Sequence, residues 1–243
     1  MRIQAKVNHT IFIKIIEWED MIKGPGLLPC SGQKAKNLVV LLHGYGSNGD
    51  DLISLAPYWS KMMPDTEFLA PNGPDVCESF SFGYQWFGLR EFTPSYVRTG
   101  LDAARPVLRK YFQEILTERS LTPKDLAIVG FSQGGMVALD MAFALKDLRG
   151  AICYSGGFYP LPETSLPEPQ PGILLVHGDA DTCVPYVAFL DAQRDLKKLG
   201  LHPQTLTCPG LGHSIDEEGI KVGGRFLVDL FAQEQPVIYM KQQ

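Results

Sequence analysis

The sequence lacks the features that would place the chain in a membrane or on a nucleic acid. A transmembrane helix needs about 20 consecutive apolar residues, and no uninterrupted apolar run of that length occurs. The formal net charge is only −5, and no block of like charges is present that could attract a polyanion or a charged membrane surface. We therefore expect neither a nucleic-acid partner nor stable insertion into a membrane.

The cysteines are too few and too scattered for a disulfide framework or a structural zinc site. They number five, an odd count, and no two of them form a C-x-x-C pair, the spacing that is typical of such sites. This pattern predicts free thiols in a reducing compartment, and hence a cytoplasmic protein that holds no metal. The residues are Cys30, Cys77, Cys153, Cys183 and Cys208.

Residues 1–21 are predicted to be an N-terminal extension of a single domain that spans residues 22–243. The apolar stretch 11–16 is too short for a signal peptide and runs directly into acidic residues. An added edge strand or a disordered extension is expected there instead. The length of 243 residues, with 45% hydrophobic and 20% charged residues, is typical of one soluble globular domain.

Four short apolar runs, partly β-branched, predict the strands of a mainly parallel sheet. Continuous apolar runs suit strands that are covered on both faces. Between them, apolar residues recur at steps of three and four from Val97 to Ile115 and from Ala188 to Leu199. This spacing predicts helices, and Pro106 should kink the first helix or restart it. Alternating strands and helices predict an α/β fold with helices on both faces of the sheet. The runs are residues 37–42, 126–129, 151–154 and 173–176.

The segment Gly130-Phe131-Ser132-Gln133-Gly134 matches the pattern G-x-S-x-G between a predicted strand and a predicted helix. A sharp strand-to-helix turn exposes the serine hydroxyl, and the flanking glycines let strand and helix approach closely. In a parallel sheet this turn lies at the carboxyl ends of the strands, where ligands bind. Ser132 is therefore the candidate nucleophile. The alternative is an ordinary glycine-rich turn of an α/β protein.

A serine nucleophile needs a histidine base, and three histidines follow Ser132 in the sequence. His213 lies in a loop with two glycines, after the strand-like residues 204–207 and before a final helix, where a base is expected. His202 precedes Pro203 at a turn and is expected to face solvent. His177 is better explained by packing or by a supporting hydrogen bond.

The carboxylate that orients the histidine should follow another strand, and two candidates lie after residues 173–176. Asp181 lies deeper in this loop, just before the predicted start of a helix, where its side chain can turn towards the histidine loop. Asp179 would then brace the turn through its own backbone, as Asx residues do. These considerations favour Asp181 only weakly, and both residues remain candidates at this point.

Two backbone N–H groups are needed to stabilise an oxyanion, one after the nucleophile and one after an early strand. Gln133 supplies the first. The glycine-flanked loop His43-Gly44-Tyr45-Gly46 follows the first strong strand, and the N–H of Tyr45 is the candidate for the second. His43 precedes Ser132 in the chain and is assigned a structural role.

Five motifs occur in order along the chain: residues 41–46, 130–135, 154–157, 177–185 and 212–213. Together they resemble the phospholipase/carboxylesterase family of α/β-hydrolases, which includes the acyl-protein thioesterases, over roughly residues 22–232. The resemblance implies the α/β-hydrolase fold and decides between the two acidic candidates. It implies Ser132 as nucleophile, Asp181 as acid, His213 as base, and Tyr45 and Gln133 as oxyanion donors.

An aromatic cluster is the other distinctive feature of the sequence. Phe80, Phe82, Tyr84 and Trp86 alternate at period two, which is typical of one buried face of a β-hairpin. The same side chains could form an apolar wall for an acyl chain. The family resemblance implies that Trp86 and Phe87 lie closest to the site, as substrate contacts.

These features predict a serine hydrolase that cleaves carboxylic esters or thioesters through an acyl-enzyme on Ser132, without a metal or organic cofactor. The expected substrate is a small-molecule or lipid-like acyl ester. A peptidase or amidase on the same fold is one alternative, because fold and triad do not choose between ester and amide bonds. A catalytically silent binding protein is the other. A homodimer is compatible with the sequence, which locates no apolar patch for it.

Overall fold

The computed structural model describes residues 22–161 and 163–232. The predicted N-terminal extension, with its apolar stretch 11–16, lies outside these residues. The strands are β1 (Gly26–Leu27), β2 (Asn37–Leu42), β3 (Thr66–Leu69), β4 (Asp75–Val76), β5 (Tyr84–Gln85), β6 (Leu126–Phe131), β7 (Gly150–Tyr154), β8 (Gly172–Gly178) and β9 (Gln204–Cys208). The α-helices are α1 (Gly49–Leu52), α2 (Ala56–Ser60), α3 (Pro94–Arg119), α4 (Gln133–Ala144), α5 (Tyr186–Lys198) and α6 (Glu217–Ala232).

A seven-stranded sheet in the order β1-β3-β2-β6-β7-β8-β9 forms the centre of the fold. Every neighbouring pair in it is parallel except β1 with β3. The four apolar runs become β2, β6, β7 and β8, the central strands, so the prediction of a mainly parallel sheet is confirmed. Their carboxyl ends lie at one edge of the sheet, which therefore collects the loops that follow them.

Apolar layers cover both faces of the sheet, as continuous apolar strands require. Leu38, Val40 and Leu42 of β2 pack into one layer with residues of α3, α4 and α5. The alternate residues Val39 and Leu41 pack into the opposite layer with residues of α2 and α6. This period-two division is the reason why β2 has no polar face.

Helix α3 is one continuous element through Pro106, so the predicted restart at this proline does not occur. Proline removes the N–H that would bond to the carbonyl of Asp102. Both residues lie on the exposed side of the helix, where water can satisfy that carbonyl. The helix begins after Thr93, whose side chain accepts a hydrogen bond from Tyr96 N, and ends at Ser120 with a left-handed φ of 56°.

The aromatic segment forms a small hairpin of β4 and β5, but it does not bury one aromatic face as predicted. Phe82 is 97% exposed and Phe80 is 58% exposed, whereas Trp86 is 2% exposed. The two paired strands have only two residues each, so the alternation does not extend over the four aromatic positions. Among the described residues, no helix is both long and apolar enough to cross a bilayer.

Candidate active site

Ser132 lies at the tight turn between β6 and α4 that the sequence predicts. Its φ of 55° and ψ of −117° fall in a region that costs a non-glycine residue about 1–3 kcal/mol. The turn leaves no room for side chains at the flanking glycines. A Cβ on Gly130 would overlap the carbonyl oxygen of Gly134, and a Cβ on Gly134 would overlap that of Leu42. Ser132 N donates to Tyr154 O at 2.8 Å, which fixes the strained residue to the neighbouring strand.

A continuous hydrogen-bonded chain joins Ser132, His213 and Asp181. His213 Nε2 lies 3.0 Å from Ser132 Oγ, and His213 Nδ1 lies 2.7 Å from Asp181 Oδ2. An ionised carboxylate only accepts hydrogen bonds, so Nδ1 carries the proton and Nε2 is free to accept from the serine hydroxyl. Residues from the ends of β6, β8 and β9 thus meet at one edge of the sheet.

The two acidic candidates have different partners. Asp181 is 6% exposed and its Oδ1 accepts hydrogen bonds from the N–H groups of Cys183 and Val184 at 2.8 and 2.9 Å. Burial raises the pKa of Asp181, but its hydrogen bonds to His213 and to these amides outweigh that effect and hold the pKa below its ordinary value. Asp181 therefore stays ionised beside the imidazole.

Asp179 connects the acid loop (residues 179–185, between β8 and α5) to the histidine loop (residues 209–216, between β9 and α6). Its Oδ1 accepts a hydrogen bond from Gly210 N at 2.6 Å, and its own N–H donates to Cys208 O at 3.2 Å. The prediction that Asp179 braces the turn through its own backbone is therefore wrong in detail. The carboxylate instead reaches across to the segment that carries His213.

The other histidines differ in their surroundings. His43 is fully buried, with Nε2 accepting from Gly73 N at 2.8 Å and Nδ1 2.7 Å from Gly44 O, in keeping with a structural role. His177 is 1% exposed, and its Nε2 lies 2.8 Å from Val184 O and 3.4 Å from Asp181 Oδ2. Burial lowers the pKa of both imidazoles. His202 is exposed, as predicted.

The backbone N–H groups of Tyr45 and Gln133 are available as donors. Within the described part of the chain, neither group has a hydrogen-bond acceptor, whereas most buried N–H groups in proteins are paired. Gln133 is the first residue of α4, so its N–H belongs to the free helix N-terminus, which favours negative charge. The Tyr45 loop lies beside Ser132, because a Cβ on Gly44 would come within 3.4 Å of Ser132 Cβ.

Trp86 and Phe87 are 2% and 5% exposed, so they present little surface to a substrate. Trp86 Nε1 donates to His43 O at 2.9 Å and thereby holds the first residue of the Tyr45 loop. Contact of these two residues with an acyl chain stays a prediction. An open groove of about 690 Å³ begins at Gly46 and is lined by the exposed rings of Phe80 and Phe82.

Two supporting contacts were not predicted from the sequence. The carboxamide of Gln133 accepts from Trp86 N at 3.0 Å and donates to Phe87 O at 2.7 Å. The ring of Phe131 packs on His213, with 4.8 Å between ring centroids. Both residues stand inside the G-x-S-x-G segment, at the positions that the pattern leaves open. Their side chains contact distant segments, so no local pattern identifies them.

Comparisons with known proteins show the family to which the chain belongs. The sequence model of the phospholipase/carboxylesterase family matches residues 28–229. The crystal structure of esterase PE8 is 39% identical in sequence, with a TM-score of 0.78, and the match covers 85% of this chain and 98% of that one. Acyl-protein thioesterase 1 of Gibberella zeae is 25% identical over 221 residues, which cover 84% of this chain and 94% of that protein. Esterase YpfH of Escherichia coli is 25% identical over 188 residues, covering 77% and 80%.

Proposed function

The chain belongs to the phospholipase/carboxylesterase family and is a carboxylic ester hydrolase, and we propose that Ser132, His213 and Asp181 carry its reaction. The observation that supports this most directly is the chain of hydrogen bonds of 3.0 and 2.7 Å from Ser132 through His213 to Asp181. The substrate is a carboxylic ester or thioester with a small-molecule or lipid-like acyl group. Relatives named esterase and acyl-protein thioesterase support both kinds of bond.

In the proposed mechanism, His213 Nε2 takes the proton from Ser132 Oγ as the oxygen attacks the substrate carbonyl carbon. The N–H groups of Tyr45 and Gln133 stabilise the oxyanion that forms. His213 then donates the proton to the leaving alcohol or thiol, and the acyl group remains as an ester on Ser132. Water repeats these steps and releases the acid. Asp181 keeps the Nδ1 proton in place and stabilises the imidazolium ion.

Labelling by a fluorophosphonate tests the role of Ser132, because this probe reacts with an activated serine. Wild-type protein should be labelled at Ser132, and Ser132→Ala should be neither labelled nor active. Ser120→Ala is a matched control, since Ser120 also has a positive φ, of 56°, but lies at the surface end of α3. Failure of the folded wild type to label would favour a catalytically silent protein.

Matched oxyester, thioester and amide substrates that share one acyl group test the bond that is cleaved. We expect kcat/KM for the two ester types to exceed that for the amide by several orders of magnitude, because the amine is a poorer leaving group. An amide rate comparable with the ester rates would support a peptidase or amidase instead.

An acyl series from two to sixteen carbons tests the substrate contacts. If Trp86 and Phe87 form an acyl wall, Trp86→Phe should raise KM more for long acyl esters than for acetyl esters. The exposed Phe82 offers a comparison, because Phe82→Ala changes the open groove without disturbing the buried core. A change of KM that is equal at all chain lengths would exclude an acyl wall at the residue that was replaced.

A further inference from the structure

The acid loop and the histidine loop place three different metal-binding groups together. Cys183, Asp181 and His213 each offer one ligand atom, and these atoms all lie within 4.8 Å of one another. Cys183 is exposed and its thiol is free. No Cys/His spacing in the sequence predicts this group, because its members lie on loops that follow different strands.

We propose that this cluster is an inhibitory site for Zn²⁺ and similar soft divalent cations. A thiolate, an imidazole and a carboxylate form a suitable ligand set for zinc, which takes three protein ligands and a water molecule in open sites. Zinc–ligand distances of about 2.0–2.3 Å put the ligand atoms of a tetrahedral site roughly 3.3–3.7 Å apart, so ligand atoms that lie as far as 4.8 Å apart must approach one another by about 1 Å. Cys183 is the exposed member of the cluster, so its side chain has the most freedom to rotate.

Two glycines of the histidine loop have little packed around them. Apart from neighbouring residues in the chain, no heavy atom of the described residues lies within 4 Å of the position that a Cβ on Gly210 would occupy, and the nearest to a Cβ on Gly212 is 4.0 Å away. These two glycines precede His213 in the loop. The side chain of His213 is 21% exposed, so the ion can approach it from solvent.

Binding of zinc would block the proposed reaction whichever imidazole nitrogen binds the ion. Coordination through Nε2 occupies the lone pair that would accept the proton of Ser132. Coordination through Nδ1 moves the ring proton to Nε2, which then donates to Ser132 Oγ and no longer accepts. In both cases the Cys183 thiol releases its proton to solvent and binds as thiolate. Inhibition therefore depends on the proposed function, whereas binding of the ion does not.

Variants of the exposed cysteines provide the first test. We expect zinc to inhibit ester hydrolysis reversibly, with full recovery after addition of a chelator. Cys183→Ser keeps the backbone N–H that donates to Asp181 Oδ1, and relative to its own rate without zinc it should need an inhibitory zinc concentration at least about tenfold higher. Cys30→Ser is the matched control, because Cys30 is the other exposed cysteine and its thiol donates to Ser60 O at 3.2 Å, away from the cluster. Equal inhibition of wild type and Cys183→Ser would overturn the proposal.

Binding is measured separately in the Ser132→Ala protein, which needs no catalysis. Competition with a chromophoric chelator should show one zinc ion per chain, and Cys183→Ser in this background should weaken that binding at least about tenfold. Co²⁺ should give a thiolate-to-cobalt charge-transfer band that disappears in Cys183→Ser and persists in Cys30→Ser. Absence of both signals would refute the site, even if the protein is an active esterase.

Discussion

Gln133 combines two functions that a single substitution can separate. Its side chain is 1% exposed, and it bonds to Trp86 N and Phe87 O at 3.0 and 2.7 Å. Its backbone N–H is the proposed oxyanion donor. A Gln133→Met variant keeps the backbone N–H and a similar side-chain volume, but it removes both side-chain hydrogen bonds. Stability should therefore change much more than catalysis.

The hydrogen bonds that are lost determine the expected magnitude. A buried polar group without a partner costs about 1–3 kcal/mol, and the variant leaves two such groups, Trp86 N–H and Phe87 C=O. We expect the free energy of unfolding to fall by about 2–6 kcal/mol, a large part of the roughly 5–15 kcal/mol of a typical domain. Because the oxyanion donor remains, kcat/KM per folded molecule should fall less than about tenfold. Loss of one oxyanion donor would cost about 100- to 1,000-fold.

Urea unfolding followed by tryptophan fluorescence measures the stability, and hydrolysis rates are normalised to the fraction that a fluorophosphonate labels. Gln113→Met is the matched control, because Gln113 lies on the exposed surface of α3; its effect should stay within about 0.5 kcal/mol. A loss below about 1 kcal/mol in Gln133→Met would mean that the carboxamide does not hold the Trp86 segment in place. A 100-fold loss of rate in fully folded protein would refute the separation of side chain from backbone.

Three further predictions follow from the same edge of the sheet. Ser132→Gly should melt at a higher temperature than Ser132→Ala in calorimetry, because glycine adopts a φ of 55° without steric cost; equal melting temperatures would mean that the turn stores no strain. Burial lowers the pKa of His177 from its ordinary 6.5, so below pH 6.5 the unfolded chain binds protons that the folded chain does not. The free energy of unfolding should therefore decrease as the pH is lowered below 6.5. His177→Gln should flatten this dependence in urea titrations, and an unchanged slope would contradict it. Asp179→Ala should lower kcat by roughly 10- to 100-fold, because the histidine loop loses its contact at Gly210 and is misplaced. Asp179→Asn keeps an oxygen that can accept from Gly210 N and should recover most of the rate. An unchanged kcat in Asp179→Ala would mean that the contact to Gly210 has no role.

Local patterns in the sequence predict the central strands and the positions of Ser132 and His213, whereas the choice of Asp181 over Asp179 depends on the resemblance to the family. Apolar runs identify strands that are covered on both faces, and the order of strands and loops then brings Ser132, Asp181 and His213 to one edge of the sheet. Ser132 and His213 each follow a strand in a segment with glycines, and Asp181 follows β8, which ends at Gly178. These signals can be recognised in a single sequence, because they depend on residues that are close together in the chain.

The features that were wrong or missed depend on contacts between distant segments. The period-two aromatics predict one buried face of a hairpin, but β4 and β5 pair over only two residues each, and Phe80 and Phe82 lie in the connection between them and are exposed. The partners of the Asp179 and Gln133 side chains come from loops elsewhere in the chain. Patterns in a single sequence do not identify the partners of these side chains, because many other backbone groups in the chain could form the same hydrogen bonds.

Backbone strain and buried histidines occur together at this edge of the sheet. Ser132 and Ser155, two of the four described non-glycine residues with a positive φ, lie here, and burial lowers the pKa of His43 and His177. Such strain persists only where the surrounding structure determines the backbone from several sides. Ser132 N bonds to β7 and Ser155 N bonds to β8, so the central strands hold both turns in place. It follows that the stability of the sheet maintains the geometry of the site, and that substitutions which relieve the strain should stabilise the fold while they reduce activity.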